Sequence, residues 1–214
     1  MSATAINMEG SANALPILDR LTPEVSAVAT TQPKDDPLER RAIARIKDGD
    51  RSAYDYLVLK YTKRVVSIAW NIVRNPHDAE DLAQEAFVKA YENIERFRSA
   101  EPFGPWIYRI VTNLALDVIK HRRRFRHEEL SAEEPADRRD SADLPASASE
   151  IQSRIDAALE SLPEMQRVVA RMSLIEEFDH AEIASMMKLS EGTVRSHLSL
   201  ARKKLREKLA DLYE

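Results

Sequence analysis

The sequence predicts an all-α fold: two small helical domains joined by a flexible acidic linker, the second carrying a helix-turn-helix. Three observations predict it. Apolar residues recur at helical spacing along two stretches, one from about Leu38 to His127 and one from Ile151 to Leu209. No strand-like alternation of apolar and polar residues appears anywhere, which argues against a sheet. Between the two stretches, residues 128–148 shift to Glu, Asp, Ala, Ser and Pro without an apolar stripe, as a linker does. The 214 residues, 43% of them hydrophobic, suffice for two real cores.

Each element follows in order. Residues 1–37 scatter Pro, Thr, Ser and Ala with little periodicity and read as a flexible tail. The first domain, residues 38–127, opens with a helix presenting Leu38, Ala42 and Ile46 that stops near Asp48-Gly49-Asp50. A second helix, opening at Ser52, presents Tyr54, Leu57, Tyr61, Val65, Ile68 and Ile72 until Asn75-Pro76 breaks it. Asp78 is expected to cap a third helix that turns Leu82, Ala86, Phe87, Ala90 and Ile94 inward. The Pro- and Gly-containing segment 96–106 reads as a loop, with a fourth helix starting near Pro105 and ending in a basic run. In the second domain, residues 149–214, stripes from Ile151 to Leu162 and from Met165 to Ile175 precede two further helices.

Those last two helices carry the most information. Ile183, Met186 and Met187 form a short stripe; Lys188-Leu189-Ser190-Glu191-Gly192 interrupts it, and Val194, Leu198, Ala201, Leu205 and Leu209 resume it. Ser190 is placed to cap the second helix, and Glu191 suits its positive first turn. Lys188 stands at a turn position where a left-handed backbone would cost about 1 kcal/mol. Arg195, Ser196, His197, Ser199, Arg202 and Lys203 lie between the apolar positions, offering donors to phosphates and to base edges in a major groove.

The net charge of −4 looks wrong for such a partner until its distribution is seen. Lys120, Arg122, Arg123, Arg124 and Arg126 make a basic run, whereas 78–85 and 128–143 are acidic, so nucleic acid and a basic protein are both implied. Other classes recede. The four glycines are too far apart for a phosphate-binding loop, the five histidines show no metal-ligand spacing, and cysteine is absent. No catalytic residue, metal or cofactor is therefore assigned, and an enzyme is not expected. No apolar run approaches the about 18 residues of a membrane span, and the N-terminus lacks a signal-peptide pattern, so a cytoplasmic protein without membrane insertion is expected.

Three stretches, in order, resemble the extracytoplasmic-function (group IV) sigma factors, specificity subunits of bacterial RNA polymerase. Residues 78–91 (Asp-Ala-Glu-Asp-Leu-Ala-Gln-Glu-Ala-Phe-Val-Lys-Ala-Tyr) resemble the family's acidic helix. Phe97 to Arg124, containing Phe-Gly-Pro-Trp-Ile-Tyr-Arg-Ile-Val-Thr-Asn, is similar to the part that opens and reads the downstream promoter element. Glu182-Ile-Ala, Ser190 to Ser196 and Ala201-Arg202 are similar to the reader of the upstream element.

The resemblance implies a sigma factor that binds core polymerase through the β′ coiled coil and the β flap, reads promoter DNA, and is controlled by an anti-sigma factor. It places Glu80, Asp81, Gln84 and Glu85 on the polymerase contact. Phe97, Arg98, Trp106, Arg109, Asn113, Asp117, Lys120, Arg122, Arg123 and Arg124 fall on the downstream element and its melting, with Trp106 equally open to a role as core anchor. In the family's pattern, Leu200 stands where Arg is frequent and His197 replaces a frequent basic residue, so no relative's promoter sequence carries over. The two domains are expected to move independently unless a partner clamps them. Two rival readings remain: a helix-turn-helix regulator of the two-component output type, which Thr193 to His197 also resembles, and a sigma-like decoy that binds a regulator without reading DNA.

Overall fold

Eight α-helices and no strand account for almost all of the residues described by the computed structural model, which are 36–98, 102–129 and 148–212. The tail expected over 1–37 and the linker expected over 128–148 lie, apart from their inner edges, outside the described residues.

Local signals set each helix. Asp36 caps α1 (Pro37–Lys47) by accepting from the amides of Leu38 at 2.9 Å and Glu39 at 3.4 Å, with Pro37 at the first position. Ala42, Ile43 and Ile46 are buried, but Leu38 is 61% exposed; the carboxylate-bearing Glu39 takes the inward place expected for it. Gly49, at φ 95°, turns the chain, and Asp50 caps a short 3-10 turn over Arg51–Ala53, so regular α2 (Tyr54–Val73) starts after Ser52. α3 (Pro76–Glu92) is capped by Asn75, whose side chain accepts from Asp78 N at 3.1 Å. Asp78, expected as the cap, instead sits in the first turn and pairs with Arg122 of α4. Ile94 belongs to a second 3-10 turn, and α4 runs over Phe103–Glu129, beginning before Pro105.

The second half comprises α5 (Ala148–Glu160), α6 (Glu164–Leu174), α7 (His180–Met187) and α8 (Glu191–Lys208). Asp179 and Glu182 close a capping box on α7 at 2.8 and 2.9 Å. Lys188 is left-handed at φ 56°, and Ser190 caps α8 by accepting from Thr193 N at 3.0 Å.

The halves do not stand apart. α6 packs on α2 and α7 on α4, and the buried apolar side chains of both halves form one continuous cluster. Polar groups complete the contact. Glu176 and Arg171, each about 1% exposed, find their partners on both sides of the boundary: Asn71 Nδ2 donates to Glu176 Oε1 at 2.6 Å, and Arg171 Nη1 donates to Asn71 Oδ1 at 3.3 Å. The halves are therefore seen packed together, with polar groups at their boundary that take their partners from one another rather than from water.

Candidate nucleic-acid interface

α8 has two unlike sides. Val194, Leu198, Ala201 and Leu205 face the core at the helical period, which turns Arg195, Ser196, Ser199, Leu200 and Lys203 to solvent. Arg195 makes only a long contact, 3.5 Å, with Glu191 one turn earlier, and both are well exposed, so its guanidinium is free to exchange that partner. His197 and Arg202 are placed differently. Both flank the core side and are half-buried, and His197 Nδ1 and Arg202 Nε are shielded with no hydrogen-bond partner among the described residues. Burial, followed by the like charge of Arg206, holds Arg202 below the ordinary arginine value.

On α4 a second stripe runs through Arg109, Asn113, Asp117, Lys120 and Arg124, spaced as one face of a helix. Asn113 is partly exposed and donates through Nδ2 to the Arg109 carbonyl at 2.6 Å, while Lys120 meets Asp117 at 3.3 Å. Two residues expected on this surface are otherwise engaged. Arg122 spends its guanidinium on Asp78, tying α4 to α3. Phe97 is 4% exposed and stacks within the core, its ring 5.8 Å from Phe103 and 4.9 Å from Trp106. A large apolar ring so enclosed is a support for the site, not a contact offered to a ligand. Trp106 is half-buried: one side of its ring packs on Phe97 and Phe103, and the rest stays open at the start of α4. Arg98 is exposed, and the side chain of Arg123 lies outside what the structure describes.

Sequence reasoning missed what holds this end of α4. Helix α1 grips both sides of the segment that joins Phe97 to Phe103: Lys47 Nζ donates to the Phe97 carbonyl at 2.7 Å, and Glu39 Oε1 accepts from the Phe103 amide at 2.8 Å. The second oxygen of Glu39 accepts from Lys60 Nζ at 2.7 Å and from the Tyr61 hydroxyl. A carboxylate at a helix N-terminus is electrostatically favoured, and here it fixes where α4 begins. Burial, then this carboxylate, drives the Tyr61 hydroxyl well above the ordinary tyrosine range, so the tyrosine stays a donor. Lys60 also reaches Asp36 at 2.5 Å, and this hydrogen bond lowers the Asp36 carboxyl to about 2.

A third surface is acidic. On α3, Leu82, Ala83, Ala86, Phe87 and Ala90 point inward, leaving Glu80, Asp81, Gln84 and Glu85 exposed together, with Val88 at the end of the same face. Glu85 meets Lys89 at 2.8 Å in an exposed pair one helical turn apart. Among the described residues no His, Asp and Glu cluster could hold a metal ion, and no helix is long and apolar enough to cross a membrane.

Comparison with known proteins identifies the family of the chain. Residues 57–125 match the sigma-70 region 2 family and residues 152–205 match sigma-70 region 4. The chain is 32% identical over 182 residues to the ECF RNA polymerase sigma factor SigW of Bacillus subtilis, covering 81% of this chain and 97% of the relative. It is 31% identical to the RNA polymerase sigma-H factor of Pseudomonas aeruginosa, over 81% of this chain and 95% of that one. Among solved structures, CnrH in complex with the cytosolic domain of CnrY shares the fold at a TM-score of 0.58 and 24% identity, covering 81% of this chain and 98% of CnrH. RpoE of Bartonella quintana, crystallised with the anti-sigma factor NepR, aligns at a TM-score of 0.57 and 20% identity, over 73% and 96% of the two chains.

Proposed function

Because the chain belongs to the extracytoplasmic-function sigma factors of RNA polymerase, we propose that its three exposed faces divide the work of promoter-specific initiation. As a specificity subunit it is not an enzyme; polymerase performs the chemistry. Residues 38–127 act as the unit that binds core polymerase and opens the downstream element, and residues 149–214 as the unit that reads the upstream element. Arg195, Ser196 and Ser199 enter the major groove, with Lys203 on the adjoining phosphates and His197 and Arg202 supporting the edge of that surface. Arg109, Asn113, Asp117, Lys120 and Arg124 track the downstream element beside Trp106. The acidic face Glu80, Asp81, Gln84 and Glu85 meets a basic surface of core polymerase, the β′ coiled coil, while the second half meets the β flap. An anti-sigma factor controls access to these faces, as a partner of that kind binds RpoE of Bartonella quintana.

The observation that carries this reading is that all three faces are open to solvent while the apolar sides of their helices are sealed in one core. Charged and hydrogen-bonding groups kept at the surface of rigid helices are available for partners. A regulator of the two-component output type would require a receiver of alternating strands and helices, and the first half of the chain contains no strand among the described residues. The test is transcription in vitro from a genomic promoter library, with core polymerase alone and with the protein added. New starts sharing two spaced motifs are expected; duplex DNA binding without core binding or new starts would overturn the reading.

A further inference from the structure

We propose that Leu200 is a specificity determinant of this protein, reading the methyl group of a thymine in the upstream element; the inference rests on the placement of α8 in the major groove proposed above. Four large apolar side chains are exposed among the described residues, and Leu38, Leu59 and Val88 all belong to the first half. Leu200, 47% exposed, is the one in the second half, and it lies on the candidate reading face. Its position on that face is central. Leu200 follows Ser196 by one turn and precedes Lys203 by one, and Leu198, Ala201 and Leu205 point the other way into the core. It is therefore not a core residue at the margin but an apolar side chain among donors, with Ser199 beside it.

Base-edge chemistry narrows what such a side chain recognises. The major groove presents acceptors and donors at every base pair, and a leucine desolvates these without replacing their hydrogen bonds. The apolar feature there is the thymine C5 methyl, which gains from contact with an aliphatic group. A register follows as well. Four residues of helix advance about 6 Å, close to two base-pair steps of about 3.4 Å, so the thymine lies about two base pairs from the base pair facing Ser196. Lys203 and Lys204 supply phosphate attraction that brings the face to DNA but carries no sequence information.

The experiment uses the full chain with core polymerase. An upstream element is selected from a randomised pool with the parent protein and with Leu200→Ala, and each thymine of the selected element is then replaced singly by deoxyuridine, which removes only the methyl. The expected result is one or two thymines at which deoxyuridine weakens binding about fourfold for the parent, the equivalent of about 0.8 kcal/mol for one buried methyl-sized group, and has no effect for Leu200→Ala. Equal binding of thymine and deoxyuridine at every position, or the same deoxyuridine effect in both proteins, would overturn the inference while leaving the promoter reading intact. A loss of anti-sigma binding in Leu200→Ala without any methyl effect would also overturn it, assigning the side chain to a protein contact. Failure to select any element would remove both readings together.

Discussion

Asn71 of α2 and Glu176, which follows α6, bind each other across the boundary between the two halves, Nδ2 donating to Oε1 at 2.6 Å with both residues buried. Around this contact Ser67 donates to the same carboxylate oxygen, and Arg64 donates to the Glu176 carbonyl while holding an ion pair of 3.1 Å with Oε2. Arg64 also lies over the ring of Phe178, 4.7 Å from its centroid. On the other side of Asn71, Arg171 reaches Asp156 at 3.1 Å and Glu160 at 3.0 Å, and Arg74 shares both acids. Burial and the nearby charge of Arg74 lower Arg171 from its ordinary value, against which the two acids act. The junction is thus a buried polar network set within an apolar contact, in which Arg64 Nε, Arg171 Nε and Glu176 Oε2 make no hydrogen bond among the described residues.

Removing its centre tests how the halves are held. In Glu176→Ala, Asn71, Ser67 and Arg64 lose their shared acceptor, a change that costs about 3 kcal/mol where the groups stay buried. The chain has a cheaper response, because water satisfies all three if the halves separate. The expected outcome is a larger radius of gyration in small-angle scattering with the helix content of each half retained. An unchanged radius together with unchanged stability would show that the network does not hold the closed arrangement.

A second prediction concerns acid. The Asp36 carboxyl is lowered from 3.8 to about 2, first by the hydrogen bond from Lys60 and further by the Tyr56 hydroxyl and the α1 amides. A folded value below the unfolded one means the unfolded chain binds more protons in the interval between them. The contribution of Asp36 is therefore complete above about pH 4 and lost as pH falls through about 2. Carboxyl titration followed by NMR should place Asp36 near the lower value, and Lys60→Met should return it toward the ordinary range; titration at the ordinary value in the parent would contradict the contact.

Lys188 supplies a third. Its φ of 56° and ψ of 43° are left-handed, a region that L side chains enter at a cost and glycine does not. Its side chain is exposed, so Lys188→Gly removes the backbone penalty without losing packing, offset in part by the greater freedom of glycine in the unfolded chain. A net gain of about 0.5–1 kcal/mol in urea unfolding is expected, with Lys188→Val moving stability the opposite way.

What could be read from the sequence was local. The α2 stripe from Leu57 to Ile72 and the Ser190 cap depend on residues within a turn or two of one another, and the structure places them as the spacing implies; the turn geometry at Lys188, left open by the sequence, is left-handed. What could not be read was non-local. α4 starts at Phe103 because a carboxylate 64 residues earlier in the chain, Glu39, receives its first amide. Phe97 is enclosed because Phe103 and Trp106 close over it, and Arg122 turns from the basic run to an acid 44 residues away. Glu176 looks like an ordinary surface acid beside Glu177 until α2 brings Asn71 against it, over a separation of 105 residues. Cap choice at α3 failed for a different reason: Asn75 and Asp78 are both good caps, and Pro76 at the first helical position decides for the earlier one.

The acidic face of α3 gives a fourth prediction. Glu85→Lys reverses an exposed charge that pairs with Lys89 of the same helix at 2.8 Å, so the fold should tolerate it, with a stability change within about 0.5 kcal/mol. If the face meets a basic surface of core polymerase, the like charge weakens association by at least tenfold at low salt, and the difference narrows as salt rises. Core-binding titrations at two salt concentrations read both effects. Unaltered binding at low salt would move the polymerase contact off this face.

Arg195 and Lys203 separate reading from attraction on α8. Both are exposed on the same face, and neither is needed to fill the core. If the Arg195 guanidinium reads a base, Arg195→Ala costs about 1–3 kcal/mol on the preferred upstream element and little on others. Lys203, about two turns further along, is placed for a phosphate, and Lys203→Ala should weaken all elements alike while reducing the salt slope of log binding by about 1. Binding of the two variants to the selected element and to a scrambled one, across a salt series, distinguishes these roles. A uniform loss for Arg195→Ala with a reduced salt slope would reassign it to the DNA backbone and leave Ser196, Ser199 and Leu200 as the groups that specify sequence.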